Sequence, residues 1–196
     1  MHPSLRTIES EHRSISAVLD GLAHFVDQGL AGKPMPDARV FRAMLQYLDL
    51  FAERMHHPKE DQYLFSALRT HGCEADEVLD RLQGDHLQGE EAIRALEQAF
   101  LRYEEGGRAY FEEFARRVRN YTMFYREHMR TEEKVIFPLA EALFDEGDWR
   151  RIDAAFATHL DPLASQAEER DLKALFTRIV TITPSPIGVG PELERR

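Results

Sequence analysis

His56-His57-Pro58-Lys59-Glu60-Asp61-Gln62-Tyr63-Leu64-Phe65 and His128-Met129-Arg130-Thr131-Glu132-Glu133-Lys134-Val135-Ile136-Phe137 state one pattern twice. In each, a His is followed four residues later by a Glu, and a Phe stands five residues beyond that Glu. Residues i and i+4 of an α-helix lie one above the other on the same face. Each segment therefore aims an imidazole and a carboxylate at one spot. Two such segments on facing helices make a cage of nitrogen and oxygen donors suited to metal.

Working outward, four long segments carry helical periodicity and are separated by breakers. The first runs from about Leu5 to Leu30 and ends at Ala31-Gly32-Lys33-Pro34-Met35-Pro36. The second runs from Asp37, an expected N-cap, to Thr70, before His71-Gly72. The third runs from about Glu74 to Glu105 and stops at Gly106-Gly107; the fourth runs from about Arg108 to Asp145. A shorter fifth, Trp149 to about Leu160, halts before Asp161-Pro162. Strand patterns are nearly absent. The expected fold is all-α, an up-down-up-down four-helix bundle with a short fifth helix and an irregular C-terminal tail. Residues 1–163 are expected to form the bundle domain and 164–196 an extension. In the extension, Asp171 to Val180 reads as a short amphipathic helix, and Thr181 to Pro191 as extended or disordered.

The apolar stripes single out particular histidines. Ile8, Ile15, Leu19, Leu22 and Val26 line the first segment, and His12 fills the gap in their register. His86 stands four residues after Leu82 in the third segment, whose stripe continues through Ile93, Leu96, Phe100 and Tyr103. In the fourth, Phe114, Val118, Tyr121, Tyr125, His128, Glu132, Val135 and Leu139 follow one 4-3 pattern. A Glu in that seam is costly unless it is paired or coordinates a metal. The second segment is less clean. Phe41, Met44, Leu48, Phe51 and Met55 set its apolar side, with His56 and Glu60 at the edge. The competing pair His57 and Asp61 lies about 100° further round. The match to His128, Glu132 and Phe137 favours His56 with Glu60 and leaves His57 and Asp61 as second choices. His24 falls on a polar face, His159 is expected to pack over the bundle end, and Cys73 stands in a loop.

Composition narrows the function classes. The 196 residues suit one well-buried domain. A net charge of −10 disfavours nucleic acid and anionic lipid surfaces. The first residues, Met1-His2-Pro3-Ser4-Leu5-Arg6, lack the apolar core of a signal peptide, and no apolar run is long enough to span a bilayer. With one cysteine there is no intramolecular disulfide, so a reducing cytoplasm is the expected compartment. The same fact excludes a multi-thiolate site and leaves His and carboxylate as donors.

The inward candidates are His12, His56, Glu60, His86, His128 and Glu132, from all four helices. Such a set suits iron or manganese better than structural zinc. Two carboxylates able to bridge and four imidazoles are enough for two ions. Ferritin-like di-iron bundles use Glu-x-x-His, whereas here His leads and the spacing is four.

These residues resemble the hemerythrin-like family, the HHE cation-binding domain group, in its bacterial form. The resemblance covers roughly residues 5–145. It rests on Glu11-His12-Arg13, the His-His-Pro-Lys-Glu-Asp run at 56–61, Asp85-His86, the His-Met-Arg-Thr-Glu-Glu run at 128–133, and Ile136-Phe137-Pro138. The stretch Trp149…Ile152-Asp153…Asp161-Pro162-Leu163 adds to it. The resemblance implies two non-haem iron ions bridged by the two carboxylates and an oxo or hydroxo group, with one position open to a small ligand. His12, His56, Glu60, His86, His128 and Glu132 take the ligand places. Tyr125 and Tyr121, one and two turns before His128, are placed either in the core or to meet a bound oxygen species or iron. Oxygen-carrying hemerythrins have His-x-x-x-His in helix three, where this chain has His86-x-x-x-Glu90. Glu90 reads as a solvated edge residue, with ligation as the alternative.

The expected function is binding of O2, NO or peroxide for sensing, storage or detoxification, by a monomer or weak homodimer. A di-iron redox enzyme of peroxidase, catalase-like or NO-handling type, or an iron-donating repair protein, is the alternative. A metal-free helical interaction module is a third.

Overall fold

The computed structural model describes residues 1–72, 75–157 and 165–193. Helix α1 spans Pro3–Leu30. Helix α2 covers residues 38–70 as one rod that changes its winding. Ala38–Tyr47, His57–Lys59 and Ser66–Thr70 are α-helical, whereas Leu48–His56 and Glu60–Phe65 are π-helical. The carboxylate of Asp37 caps its start, accepting from the Arg39 amide at 2.8 Å. Helix α3 is Asp76–Gly106 and ends where Gly107 takes a φ of 67°, a left-handed value that favours glycine. After a 3-10 turn over Gly107–Tyr110, helix α4 covers residues 111–143. It too has a π-helical interlude, Glu132–Ile136, between Phe111–Thr131 and Phe137–Leu143.

The four rods form an all-α bundle in which α4 packs on α1 and α3, and α2 packs on both α1 and α3. Helix α5, Glu146–Ala157, closes one end by burying Trp149, Ile152 and Phe156. His2 stacks on Trp149 with ring centroids 3.8 Å apart. Helix α6, Ser165–Ile182, lies along α2 and buries Leu172 and Ile179. It is longer than the Asp171–Val180 helix expected. The chain beyond it folds back, with the Val189 amide donating to the Val180 carbonyl and the Gly190 amide to that of Thr183. An isolated bridge between Pro184 and Gly190 is the sole β pairing among the described residues. No helix of the described residues is long and apolar enough to cross a membrane.

The core is split in two along the bundle axis. One apolar cluster is built on Ile15, Leu22, Phe41, Leu48, Ile93, Phe114 and Met129, the other on Leu5, Ile8, Leu64, Phe65, Leu82, Ile136 and Trp149. In every rod the break falls at one level. His12 lies between Ile8 and Ile15, His56 and Glu60 between Leu48 and Leu64, His86 between Leu82 and Ile93, and Glu132 between Met129 and Ile136. A polar layer thus spans the middle of the bundle.

The π-helical turns alter two expectations. Each inserts an extra residue per turn and rotates the remainder of its helix about the axis. In α4 the stripe passes through Glu132, but the next buried residue is Ile136, and Val135 is 42% exposed. In α2 the same effect turns His56, His57 and Glu60 all inward. Pro58 and Pro138 each sit near the start of an α-helical turn that comes after π-helical backbone. There the amide that proline lacks is spared.

Candidate metal centre

His12, His56, Glu60, His86, His128 and Glu132 meet in the polar layer, and none is more than 5% exposed. Their donor atoms form two groups within 4.8 Å, His12-His56-Glu60-Glu132 and Glu60-His86-His128-Glu132. The two carboxylates belong to both. Glu60 Oε1 faces His12 and His56 at 3.8 and 3.6 Å, and its Oε2 faces His86 at 3.8 Å. Glu132 divides its oxygens the same way, Oε2 lying 3.2 Å from His12 and Oε1 lying 3.2 Å from His128 and 3.8 Å from His86. Each carboxylate therefore offers one oxygen to each half of the layer, which is the arrangement of a carboxylate bridge between two ions.

The outer nitrogens are ordered with equal regularity. His12 Nδ1 lies 2.9 Å from Glu133, His56 Nδ1 2.8 Å from Glu11, His86 Nδ1 3.0 Å from Asp61, and His128 Nδ1 3.5 Å from Asp85. A carboxylate on Nδ1 fixes the tautomer and leaves Nε2 free for a metal. Glu11 is itself held by Lys59, whose Nζ donates at 2.7 Å. These outer carboxylates sit one residue before His12 or His86, or one residue after Glu60 or Glu132.

Hydrogen bonding tests whether the layer fits a cation. His12 Nε2, His56 Nε2 and all four oxygens of Glu60 and Glu132 are buried without a hydrogen-bond partner. Such atoms cost free energy unless something satisfies them. The field points the same way. Burial alone would lower the imidazoles of His12, His86 and His128, yet the carboxylates win. Glu132, Glu133 and Glu60 hold His12 well above its usual value; Asp61, Glu132 and Glu60 raise His86 to about 9; Glu132 and Asp85 raise His128 to about 10. Burial would raise Glu132, but His128, His12 and His86 hold it well below the usual carboxylate range. A layer that binds protons this firmly is one that favours any cation.

Of the other residues weighed from the sequence, Asp61 lies 3.0 Å from His86 Nδ1 and belongs to none of the donor groups of the layer. Glu90 is half-exposed and accepts from Arg94 at 2.8 Å. His24 is half-buried beside Gln28, away from the layer. Cys73 and His159 lie outside the described residues. Tyr121 and Tyr125 are buried, and both hydroxyls donate to Glu53 Oε1, at 2.8 and 2.5 Å.

Glu53 and His57 are what α-helical periodicity misses. Both are buried and face the layer from α2, and His57 joins His86 and His128 in a third group of donors within 4.8 Å. Glu53-x-x-x-His57, beside Tyr121-x-x-x-Tyr125 and a Gly at 89, is the sequence signal that points to them. Burial and the neighbouring imidazoles His86, His56 and His128 hold His57 well below its usual pKa, so it is neutral.

No curated protein matches the chain. The family model described as Hemerythrin HHE cation binding domain matches residues 4–140, the span that holds all four rods nearly to the end of α4 and every donor named above. The chain belongs to the hemerythrin HHE cation-binding domain family.

Proposed function

We propose that this chain is a non-haem di-iron protein that binds a small ligand, O2, NO or peroxide, for sensing, storage or detoxification. The observation that carries the reading is the division of Glu60 and Glu132 between two pairs of histidines. His12 and His56 would hold one ion and His86 and His128 the other, with Glu60 and Glu132 placed between the two. Nitrogen and carboxylate donors without thiolate suit iron. Two bound ions would supply reversible redox chemistry and an open position for the ligand.

The chain's own residues do the rest. Glu11, Glu133, Asp61 and Asp85 orient the imidazoles and offset positive charge. The two apolar clusters shut the layer off from bulk water at either end. Donors with at most 5% exposure admit a diatomic or peroxide far more readily than a larger molecule. Anaerobic ferrous loading followed by addition of O2, NO or peroxide tests the proposal. The expected result is a stable or slowly decaying adduct with a charge-transfer band. Iron-loaded protein whose spectrum does not respond to any of the three would refute ligand binding, and fast turnover with product release would favour the enzyme alternative.

A further inference from the structure

The two halves of the layer are unequal, and the inequality lies in α2. His57 is 4% exposed, and neither of its ring nitrogens has a hydrogen-bond partner. Its ring stacks on His86 with centroids 4.1 Å apart and planes 9° from parallel, and it meets His128 edge-on at 5.3 Å. An orphaned, buried imidazole against two others costs free energy unless a shared cation joins them. The format of the other four histidines, a carboxylate near Nδ1 and an Nε2 turned into the layer, recurs here. Glu53 Oε2 lies 3.1 Å from His57 Nδ1 and has no hydrogen bond of its own.

Glu53 is built in from three helices. Tyr121 and Tyr125 on α4 donate to its Oε1 at 2.8 and 2.5 Å, which leaves Oε2 for His57. On α3 it lies against Gly89, where an added Cβ would stand 2.9 Å from Oε2 and 3.0 Å from Oε1. Helix α3 therefore has empty space where its next inward side chain would be, and the carboxylate from α2 fills it. Glu90, one residue on, turns to Arg94 at the surface.

We propose, resting on the two-ion reading above, that α2 rather than α3 completes the nitrogen-rich half: His57 ligates the ion held by His86 and His128 through Nε2, and Glu53 is its positioning residue, accepting from Nδ1. The centre is then asymmetric, with three imidazoles on one ion and two on the other. The hydroxyls of the two tyrosines act through Glu53, while the Tyr125 ring packs against the His57 ring with centroids 5.5 Å apart.

Cobalt(II) loading tests this without reference to activity. In the cobalt protein each ligating imidazole with a protonated Nδ1 gives one hyperfine-shifted, exchangeable proton resonance. The expected spectrum has five, from His12, His56, His57, His86 and His128, and His57→Gln removes one while leaving the helical circular dichroism intact. Glu53→Gln keeps an oxygen for the tyrosines but presents no acceptor to Nδ1. It should move or broaden the His57 resonance alone and weaken cobalt binding about 10–100-fold. Two bound cobalt ions with only four such resonances in the unaltered chain would overturn the assignment of His57 and leave the di-metal centre standing. Failure to take up cobalt would sink both. A Glu53→Gln spectrum identical to the unaltered one would remove Glu53 from its role.

Discussion

Glu132 shows how much the layer asks of single residues. It is completely buried, and its oxygens lie against His12, His86 and His128. Substituting Glu132→Ala removes the carboxylate that faces both halves of the layer and leaves those imidazoles without their partner. The metal content should fall by half or more, and the metal-free chain should lose on the order of 3–5 kcal/mol, the usual cost of breaking a buried pair. Metal analysis and denaturant unfolding read the two effects separately; a variant that kept its full metal content would remove Glu132 from the centre. A pair of glycines in α3 gives a sharper contrast. Gly84 has nothing within 4 Å of an added Cβ, so Gly84→Ala should stabilise by about 0.5–1 kcal/mol through helix propensity. Gly89→Ala should destabilise in spite of the same propensity gain, because the methyl meets a carboxylate clamped by two tyrosines. Thermal melts of the two variants should move in opposite directions. Gly89→Ala at least as stable as Gly84→Ala would show that Glu53 is free to move.

At the scale of the element, winding decides what can be read. His12, His86 and His128 are legible in the sequence because α1, α3 and the first part of α4 are regular α-helix, where 4-3 spacing maps directly onto one face. Helix α2 is not regular, and its two π-helical stretches bring Glu53, His56, His57 and Glu60 to one side. An α-helical wheel separates His56 from His57 by about 100°. That is why His57 reads as a second choice and Glu53 goes unnoticed. The same slip places Val135 on the stripe of α4 where Ile136 is buried. Repetition of the His-x-x-x-Glu pattern is what makes His56 and Glu60 legible despite the irregular backbone. Helix α6 makes the opposite point. Its alternation of apolar residues shows a helix, but only tertiary packing shows that Phe176 lies on Tyr47, ring centroids 5.4 Å apart. Ile179, 4% exposed in the larger cluster, should cost about 2–5 kcal/mol when cut to Ala. Among the described residues no grouped donor lies beyond Glu132, so Ile179→Ala should melt earlier yet keep its metal stoichiometry. Loss of metal from the folded variant would mean that α6 shapes the centre.

For the molecule as a whole, metal and stability are linked through protons. In the metal-free centre the pKa values of His86 and His128 are about 9 and about 10, above the usual 6.5. The stabilisation from this tighter proton binding is complete below about 6.5 and is lost as the pH rises through 9 and 10. An ion held by the same imidazoles, as proposed, would remove that dependence. The gap in melting temperature between loaded and metal-free protein should therefore widen from neutral pH to about pH 10, and loading at neutral pH should release protons. A constant gap would mean that metal and protons do not compete for the layer. The di-metal centre is tested most directly by the metal content of the purified chain after anaerobic ferrous loading. Close to two iron ions per chain are expected, as the two donor groups sharing Glu60 and Glu132 require. Fewer than one per chain would contradict a centre built on those two carboxylates.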